Sequence, residues 1–211
     1  MLSMLYREEY AHRFNLRPDP IGRALTAARR AVEPAPSNHL AYHALASALF
    51  FRRDLGAFRS AAERAVALNP MDGFTLAYLG FLIAYSGDWD RGCALVEQAR
   101  QLNPHHPGWY WFPSVFNAYR KRDYRGALDF ALKVNMPGFW RTQAAFAAAH
   151  GQLGELDAAH NAVRELVGIK PDFAVVAREE LGKWWDPELV GHIIDGLRKA
   201  GLEIADAPKS M

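Results

Sequence analysis

The chain has few of the features that mark a secreted, disulfide-bonded or strongly charged protein. Its 211 residues include one cysteine, Cys93, so an intramolecular disulfide is excluded. We expect Cys93 to be a small core residue of a protein in a reducing compartment. The formal net charge is +2 and the basic residues are dispersed. A nucleic-acid-binding surface is therefore not expected.

Long apolar runs are also missing. The longest one, residues 74–85, is shorter than the roughly 20 residues that cross a bilayer. At the N-terminus, Arg7, Glu8 and Glu9 follow directly after a short apolar start, a pattern that does not match a secretory signal. We therefore expect a soluble, cytoplasmic protein that does not bind membranes.

Motifs for catalysis and for metal binding are absent from the sequence. It contains no glycine-rich phosphate loop, no G-x-S-x-G turn and no H-E-x-x-H helix. Glu179 and Glu180 are adjacent on a predicted helix, so their carboxylates point in different directions. His39 and His43 share a helix face and two further histidines stand at 105–106, but no cysteine or carboxylate cluster completes either pair. We expect no enzyme activity, no cofactor and no metal site.

Prolines recur at an almost constant interval along the chain. They stand 33 or 34 residues apart at Pro36, Pro70, Pro104, Pro137 and Pro171. A period of about 34 residues is typical of the tetratricopeptide repeat (TPR), a pair of antiparallel helices that stacks on its neighbours. The sequence therefore predicts an all-α fold, a right-handed superhelix of helix pairs with about five repeats and C-terminal capping helices.

Other positions follow the same period, as the third repeat shows. Leu76, Leu79 and Ile83 lie three and four residues apart and share one helix face. Gly80 offers a small residue where the second helix approaches. The turn at 87–89 places a glycine before Asp88, which can cap the next helix.

The predicted boundaries follow from these signals. TPR repeats are expected over residues 1–171, capping helices over 172–204 and a frayed tail over 205–211; the repeats run about 1–36, 37–70, 71–104, 105–137 and 138–171. The apolar N-terminal helix, with Leu2, Met4 and Leu5, has no capping residue before it. It either packs on another copy of the chain or follows an upstream domain, and we favour the upstream domain.

The first helix of each pair lines the concave surface in repeats of this type, so the partner-binding groove is expected there. Its candidate residues are mostly aromatic, with a few basic ones, and such side chains are enriched in binding hot spots. The predicted set is His43, Phe74, Tyr78, Phe81, Tyr85, Trp109, Phe112, Phe116, Tyr119, Arg120 and Arg141. These rings either form an exposed surface, which we favour, or pack against one another and fill the groove.

The groove chemistry favours an apolar or amphipathic helix as the partner. TPR proteins that bind chaperone C-termini hold the peptide carboxylate with a Lys/Asn/Arg clamp. Here the corresponding positions hold His43 and Ser47 in the second repeat, and Ala77 and Phe81 in the third. Binding of chaperone tails is therefore not expected.

Several short segments of the sequence resemble segments found in one group of bacterial proteins. They are R-P-D-P at 17–20, A-L-F-F-R-R-D at 48–54, L-N-P-H-H-P-G-W-Y at 102–110, N-M-P-G-F at 135–139 and the segment from Asp186 to Leu202. Together they resemble the C-terminal TPR region of bacterial class III adenylate/guanylate cyclases and related regulators. The resemblance covers nearly the whole chain and implies a non-catalytic regulatory or assembly scaffold, with no catalytic residue carried over.

Three functions are open at this point. The first, which we prefer, is a protein–protein interaction scaffold of a bacterial signalling protein. The second is a small-ligand or peptide sensor, which an enclosed cavity lined by Tyr78, Phe116, Tyr119 and Arg120 would favour. The third is homodimerisation through the N-terminal helix.

Overall fold

The computed structural model describes residues 1–15 and 17–205. Over these residues the chain forms twelve α-helices, one 3₁₀ turn and no strand, and the all-α prediction is confirmed. The described residues divide after His106 into two compact units, here called unit 1 and unit 2. The predicted repeat boundaries and the predicted capping segment, 172–204, stay predictions.

Unit 1 consists of helices that pack in antiparallel pairs. Their bounds are α1 Leu2–His12, α2 Pro20–Val32, α3 His39–Phe51, α4 Leu55–Leu68, α5 Gly73–Tyr85 and α6 Trp89–Leu102. Each first helix also packs on the preceding pair, α3 on α1 and α2, and α5 on α3 and α4.

Unit 2 begins with a short 3₁₀ turn and continues with further helices. Their bounds are η1 Gly108–Trp111, α7 Phe112–Arg120, α8 Tyr124–Val134, α9 Trp140–Leu153, α10 Leu156–Ile169, α11 Phe173–Gly182 and α12 Pro187–Lys199. The tail predicted to fray lies outside the described residues except for Ala205, whose carbonyl accepts a hydrogen bond from Arg178 Nε at 3.1 Å. None of the described helices combines the length and the apolar character needed to cross a membrane.

The turns inside three of the pairs, α3/α4, α5/α6 and α7/α8, have a common construction. An aspartate caps the second helix, because Asp54, Asp88 and Asp123 each accept a hydrogen bond from a backbone N–H in the first turn. The residue before the cap is left-handed, with φ of 106° at Gly87 but 64° at Arg53. A left-handed arginine costs about 1 kcal/mol more than a left-handed glycine.

Glycines allow two helices of unit 1 to cross at backbone contact. A Cβ atom at Gly80 of α5 would lie 2.8 Å from the carbonyl oxygen of Gly92 on α6. No side chain larger than hydrogen fits at that distance, so the prediction that Gly80 permits a close approach agrees with the packing.

The last helix returns onto α9 instead of continuing the stack on α10. Its apolar side chains Leu189, Ile193, Ile194 and Leu197 are buried. Gly196 of α12 meets α9 at Gly151, and a Cβ at Gly196 would lie 2.6 Å from the carbonyl oxygen of Ala148. The helix therefore covers the first helix of a pair, the side on which the groove was predicted.

Candidate functional site

The predicted groove residues lie on helices that belong to both units, and each unit is described by itself. In unit 1, His43 lies on α3 and the ring residues of α5 follow one another at four-residue or closer spacing. In unit 2, Trp109 lies in the 3₁₀ turn, Arg141 lies on α9, and the rest lie on α7.

The rings on α5 form a continuous row of ring contacts, here called the α5 stripe: Phe74, Tyr78, Phe81 and Tyr85. The centroids of Phe74 and Tyr78 are 6.2 Å apart with nearly parallel planes, and those of Phe81 and Tyr85 are 4.2 Å apart. His43 joins from α3, stacked on Phe74 at 5.6 Å and 13°. The spacing of three and four residues places these rings along one helix face.

Exposure decreases along the α5 stripe. Phe74 is 49% exposed and Tyr78 is half-buried, whereas Phe81, Tyr85 and His43 are buried. The expectation of an exposed surface is therefore corrected for these last three, which pack inside the protein. Phe74 and Tyr78 are the members of the set in unit 1 that a partner can reach.

Arg7, which the sequence did not single out as a groove residue, belongs to the same face. Its guanidinium lies 4.5 Å from the centroid of the Tyr78 ring and forms an ion pair with Glu8. The side chain is buried, and its Nε and Nη1 have no hydrogen-bond partner among the described residues. One feature of the sequence could have identified Arg7 as a residue of this face: it precedes His43 by about one repeat period.

A chain of polar groups fixes His43 in place. Its Nδ1 lies 3.3 Å from Thr75 Oγ1, which donates a hydrogen bond of 2.6 Å to Asp72 Oδ2. Burial, together with the charge of Arg7, lowers the pKa of His43 to about 3. His43 is therefore neutral at physiological pH.

Asp72 connects the two histidines that raised the question of a metal site. His39 Nε2 lies 3.0 Å from Asp72 Oδ2. Burial alone would raise the pKa of Asp72, but hydrogen bonds from Thr75, His39 and the Phe74 backbone lower it below its usual value. No group of three or more His, Cys, Asp or Glu side chains within residues 1–15 and 17–205 is arranged to hold a metal ion.

The α7 rings of unit 2 are interior. Phe112, Phe116 and Tyr119 are buried. Phe116 packs against Trp185 with centroids 4.3 Å apart, and the Tyr119 hydroxyl donates a 3.0 Å hydrogen bond to the carbonyl of His192. Burial raises the pKa of Tyr119. The expectation of exposure is corrected here too, because α12 and the segment before it cover these rings.

Arg141 is also buried, in a cluster of aromatic rings. Its guanidinium carbon lies 4.0 Å from the centroid of Trp184, with Phe139 and Trp140 within 5.3 Å. Such cation–π contacts stabilise a desolvated guanidinium. Arg141 is thus an interior residue of unit 2, contrary to the expectation of a groove position.

Trp109 and Arg120 are half-buried and keep some accessible surface. Trp109 packs edge-on against Tyr110 with centroids 4.4 Å apart, and Arg120 Nε donates a 3.0 Å hydrogen bond to Asn117 Oδ1. Both of these contacts are local to their own segment.

Solved structures similar to this chain are tetratricopeptide-repeat proteins at low sequence identity. PilW, described as a widely conserved type IV pilus biogenesis factor, matches with a TM-score of 0.67 and 14% identity over 95% of this chain and 90% of its own. YrrB, described as a TPR protein with an unusual peptide-binding site, matches with a TM-score of 0.54 and 15% identity over 84% and 95% of the two chains. MamA matches with a TM-score of 0.53 and 16% identity over 82% and 94%.

No protein-family model matches the sequence, and no curated protein matches it either. The resemblance to tetratricopeptide repeats thus stands on the sequence period and on structural similarity. The chain has the fold of the tetratricopeptide-repeat proteins.

Proposed function

We propose that this protein is a non-catalytic TPR scaffold that binds an apolar or amphipathic segment of a partner protein at the exposed end of the α5 stripe. The observation that carries the proposal is Phe74, a large ring that is 49% exposed although it packs on both His43 and Tyr78. A ring held rigid by its neighbours loses little conformational entropy when a partner covers it.

The chemistry of this surface suits a helix with an apolar face. Phe74 and Tyr78 lie four residues apart with nearly parallel rings, so together they offer a flat apolar platform. Aromatic platforms of this kind supply much of the binding energy in protein interfaces. The description of YrrB as having a peptide-binding site supports the same use of the fold.

The arrangement of polar groups speaks against catalysis at this surface. His43, the imidazole that packs against the platform, is fully buried and has a pKa of about 3. A general acid or base works best with a pKa near the ambient pH and within reach of the substrate. His43 has neither property.

A regulatory or assembly role in a bacterial signalling protein is the finer part of the proposal, and it rests on the cyclase-like phrases of the sequence. It carries with it a cytoplasmic location. Cell fractionation of the native protein tests the location, since recovery outside the cytoplasmic fraction contradicts it.

A small-ligand sensor is not supported by the cavity that unit 1 forms. That cavity is lined by residues of α1, α2 and α3 together with residues that flank α2 and α3, and by none of Tyr78, Phe116, Tyr119 and Arg120. The scaffold remains the preferred function.

The experiment compares partner capture by three forms of the chain. Phe74→Ser/Tyr78→Ser removes the platform while leaving the buried rings intact. Leu132→Ser/Val175→Ser is the matched control, because both residues are exposed apolar side chains of unit 2. Circular dichroism verifies that all three forms are folded.

A partner retained by the wild type and by the control, but lost by the platform variant, supports the proposal. Titration of the purified partner then measures the loss, which we expect to be at least about tenfold in Kd. A partner that binds all three forms equally contradicts the proposal. Substitution of Phe116 is unsuitable as a probe, because that ring is buried.

A further inference from the structure

Unit 1 contains a large cleft that is separate from the α5 stripe. It lies between α1, α2 and α3 and has a volume of about 1140 Å³. Its floor is apolar and buried at Leu25, Ala41 and Ala44, and its walls carry Leu2 and Leu40, which are 59% and 48% exposed. Exposed leucines that line a cleft are available to cover an apolar surface.

The cleft is rimmed by arginines. Arg23, Arg29, Arg30 and Arg52 all line it, and Arg23 forms an ion pair with Glu9. The other three are exposed and form no ion pair with a carboxylate within residues 1–15 and 17–205.

Carboxylates are fewer than arginines among the residues that line the cleft. Asp19 is the carboxylate that lines the cleft, and its Oδ1 accepts a hydrogen bond of 2.9 Å from the backbone N–H of Gly22 as the cap of α2. This carboxylate is therefore engaged with its own helix. The side chains that line the cleft therefore carry an excess of positive charge, with four arginines against one aspartate.

The size of the cleft indicates the class of ligand. Pockets for small molecules measure about 300–1,000 Å³, so this cleft exceeds their usual range. Along α3 its lining extends from Leu40 to Arg52, which is about 18 Å at 1.5 Å per helical residue. That length matches about three turns of a helix laid alongside α3.

From these features we propose that the cleft binds an acidic amphipathic helix of a partner protein. The leucines of the walls take up the apolar face of that helix, and the arginines of the rim pair with carboxylates on its flanks. Electrostatic complementarity of this kind sets orientation and association rate, while the apolar contact holds the complex together.

This interaction goes beyond the function proposed above and is independent of it. It uses α2, the second helix of its pair, and no residue of the α5 stripe. Loss of binding at Phe74 and Tyr78 would leave it unaffected.

The test uses a fluorescein-labelled synthetic peptide of about 14 residues, long enough for a helix of about 21 Å. The peptide consists of Leu, Ala and Glu, with Leu at helical i, i+3 and i+4 positions. A matched peptide has Lys in place of every Glu. Fluorescence polarisation measures Kd at about 50 mM and about 300 mM salt, because pairing at the rim is screened by salt.

The variants are matched in charge. Arg29→Glu/Arg30→Glu reverses one end of the rim, and Arg59→Glu/Lys121→Glu makes the same change of net charge at exposed positions outside the cleft. Leu40→Asp alters a wall and keeps every arginine. If the double variant does not fold, Arg52→Glu, at the opposite end of α3, takes its place.

We expect the Glu peptide to bind the wild type, with an affinity that falls as salt rises. The rim variant should raise Kd at least about tenfold, Leu40→Asp should also raise it, and the control should leave it within about twofold. Equal binding of the Lys peptide, equal weakening by the control, or no binding of the Glu peptide at about 1 mM protein overturns the proposal.

A second copy of this chain is the other possible occupant of the cleft. Sedimentation equilibrium of the peptide-free protein tests it by measuring the oligomeric state. A dimer that Leu40→Asp dissociates would assign the cleft to a second copy of this chain. That result overturns the proposal as well.

Discussion

Unit 1 and unit 2 are both built from antiparallel helical pairs rich in aromatic residues, and they differ in what covers those residues. In unit 1 the α5 stripe is exposed at Phe74. In unit 2 the corresponding rings of α7 are buried, since Phe116 packs on Trp185 and Tyr119 bonds to the backbone of α12. An aromatic first helix is thus compatible with a binding face or with an internal docking face, and a covering helix decides between them.

Both units have helices that cross closely at glycines, but the crossing helices are related differently in the two units. Gly80 and Gly92 let α5 and α6 cross within one pair, whereas Gly151 and Gly196 let α12 cross α9 from a distant part of the chain. The first contact belongs to the repeat itself. The second covers the side of α9 on which the groove was predicted.

Burial of charge gives the largest expected difference between the units. Lys183 and Glu180 of unit 2 are 2.9 Å apart and almost fully buried, while Arg91 and Glu63 of unit 1 are also 2.9 Å apart but about half exposed. Glu180→Gln should lower the free energy of unfolding by about 4 kcal/mol, because the Lys183 ammonium loses its nearest carboxylate in a desolvated site.

The matched change in unit 1 is Glu63→Gln, which should cost less than about 1 kcal/mol since solvent screens the exposed pair. Urea denaturation at neutral pH measures both changes. Losses of similar size would show that burial does not distinguish the two pairs.

The glycine crossing of unit 2 gives the next largest effect. A Cβ at Gly151 would run into the carbonyl of Gly196 and lie 2.8 Å from the backbone nitrogen of Ala200. Gly151→Ala should therefore cost about 3 kcal/mol, because backbone atoms cannot yield as side chains can. The readout is thermal unfolding together with hydrogen exchange in α12.

Gly191→Ala, on α12, is the control for this crossing. Gly191 is exposed, and a Cβ added there would meet no atom within 4 Å. Because alanine favours the helix, this change should raise stability by about 0.5–1 kcal/mol. If Gly151→Ala and Gly191→Ala changed the stability in the same direction, the glycine crossing would not determine the docking of α12.

The comparison also shows which properties the sequence predicts. The helical secondary structure, the aspartate cap at Asp88 and the close approach at Gly80 all follow from local sequence pattern and agree with the structure. Each depends on residues within one helical pair. Such features are set by short-range sterics and hydrogen bonds.

The burial of the predicted groove residues could not be predicted from local sequence pattern. The spacing that places Phe116 and Tyr119 on a first helix is the same as for Phe74, and the periodicity carries no information on which element covers it. The return of α12 onto α9 is a contact between distant segments. The burial of Arg7 beside Tyr78 is likewise a tertiary effect, because a charged residue in an amphipathic helix is ordinarily exposed.

A pH dependence should distinguish the polar interior of unit 1. The pKa of His43 is about 3 in the folded state, against 6.5 for a histidine free of the fold. Because the unfolded chain takes up a proton that the folded chain does not, stability is fully present above pH 6.5 and falls as the pH drops towards 3. At pH 5 the loss should be about 2 kcal/mol.

His43→Phe removes the titrating group and keeps a ring to stack on Phe74. The difference in unfolding free energy between wild type and variant, measured in urea at about pH 7.5 and about pH 5, isolates this group. The wild type should lose more stability than the variant on acidification. An equal loss in both proteins would mean that His43 is protonated in the folded state.

The smallest effect concerns the bond that joins the α7 rings of unit 2 to α12. Tyr119→Phe keeps the ring and deletes the hydroxyl that donates to the His192 carbonyl at 3.0 Å. The loss of one buried hydrogen bond should cost about 1 kcal/mol. Tyr42→Phe, at a half-buried ring of α3 in unit 1, should cost less than about 0.5 kcal/mol, as is usual for surface substitutions.

Hydrogen exchange locates the change: faster exchange confined to α12 in Tyr119→Phe means that the helix is held on α7 partly by this bond. Unchanged exchange in α12 would mean that apolar burial and the glycine crossing hold it without the hydroxyl.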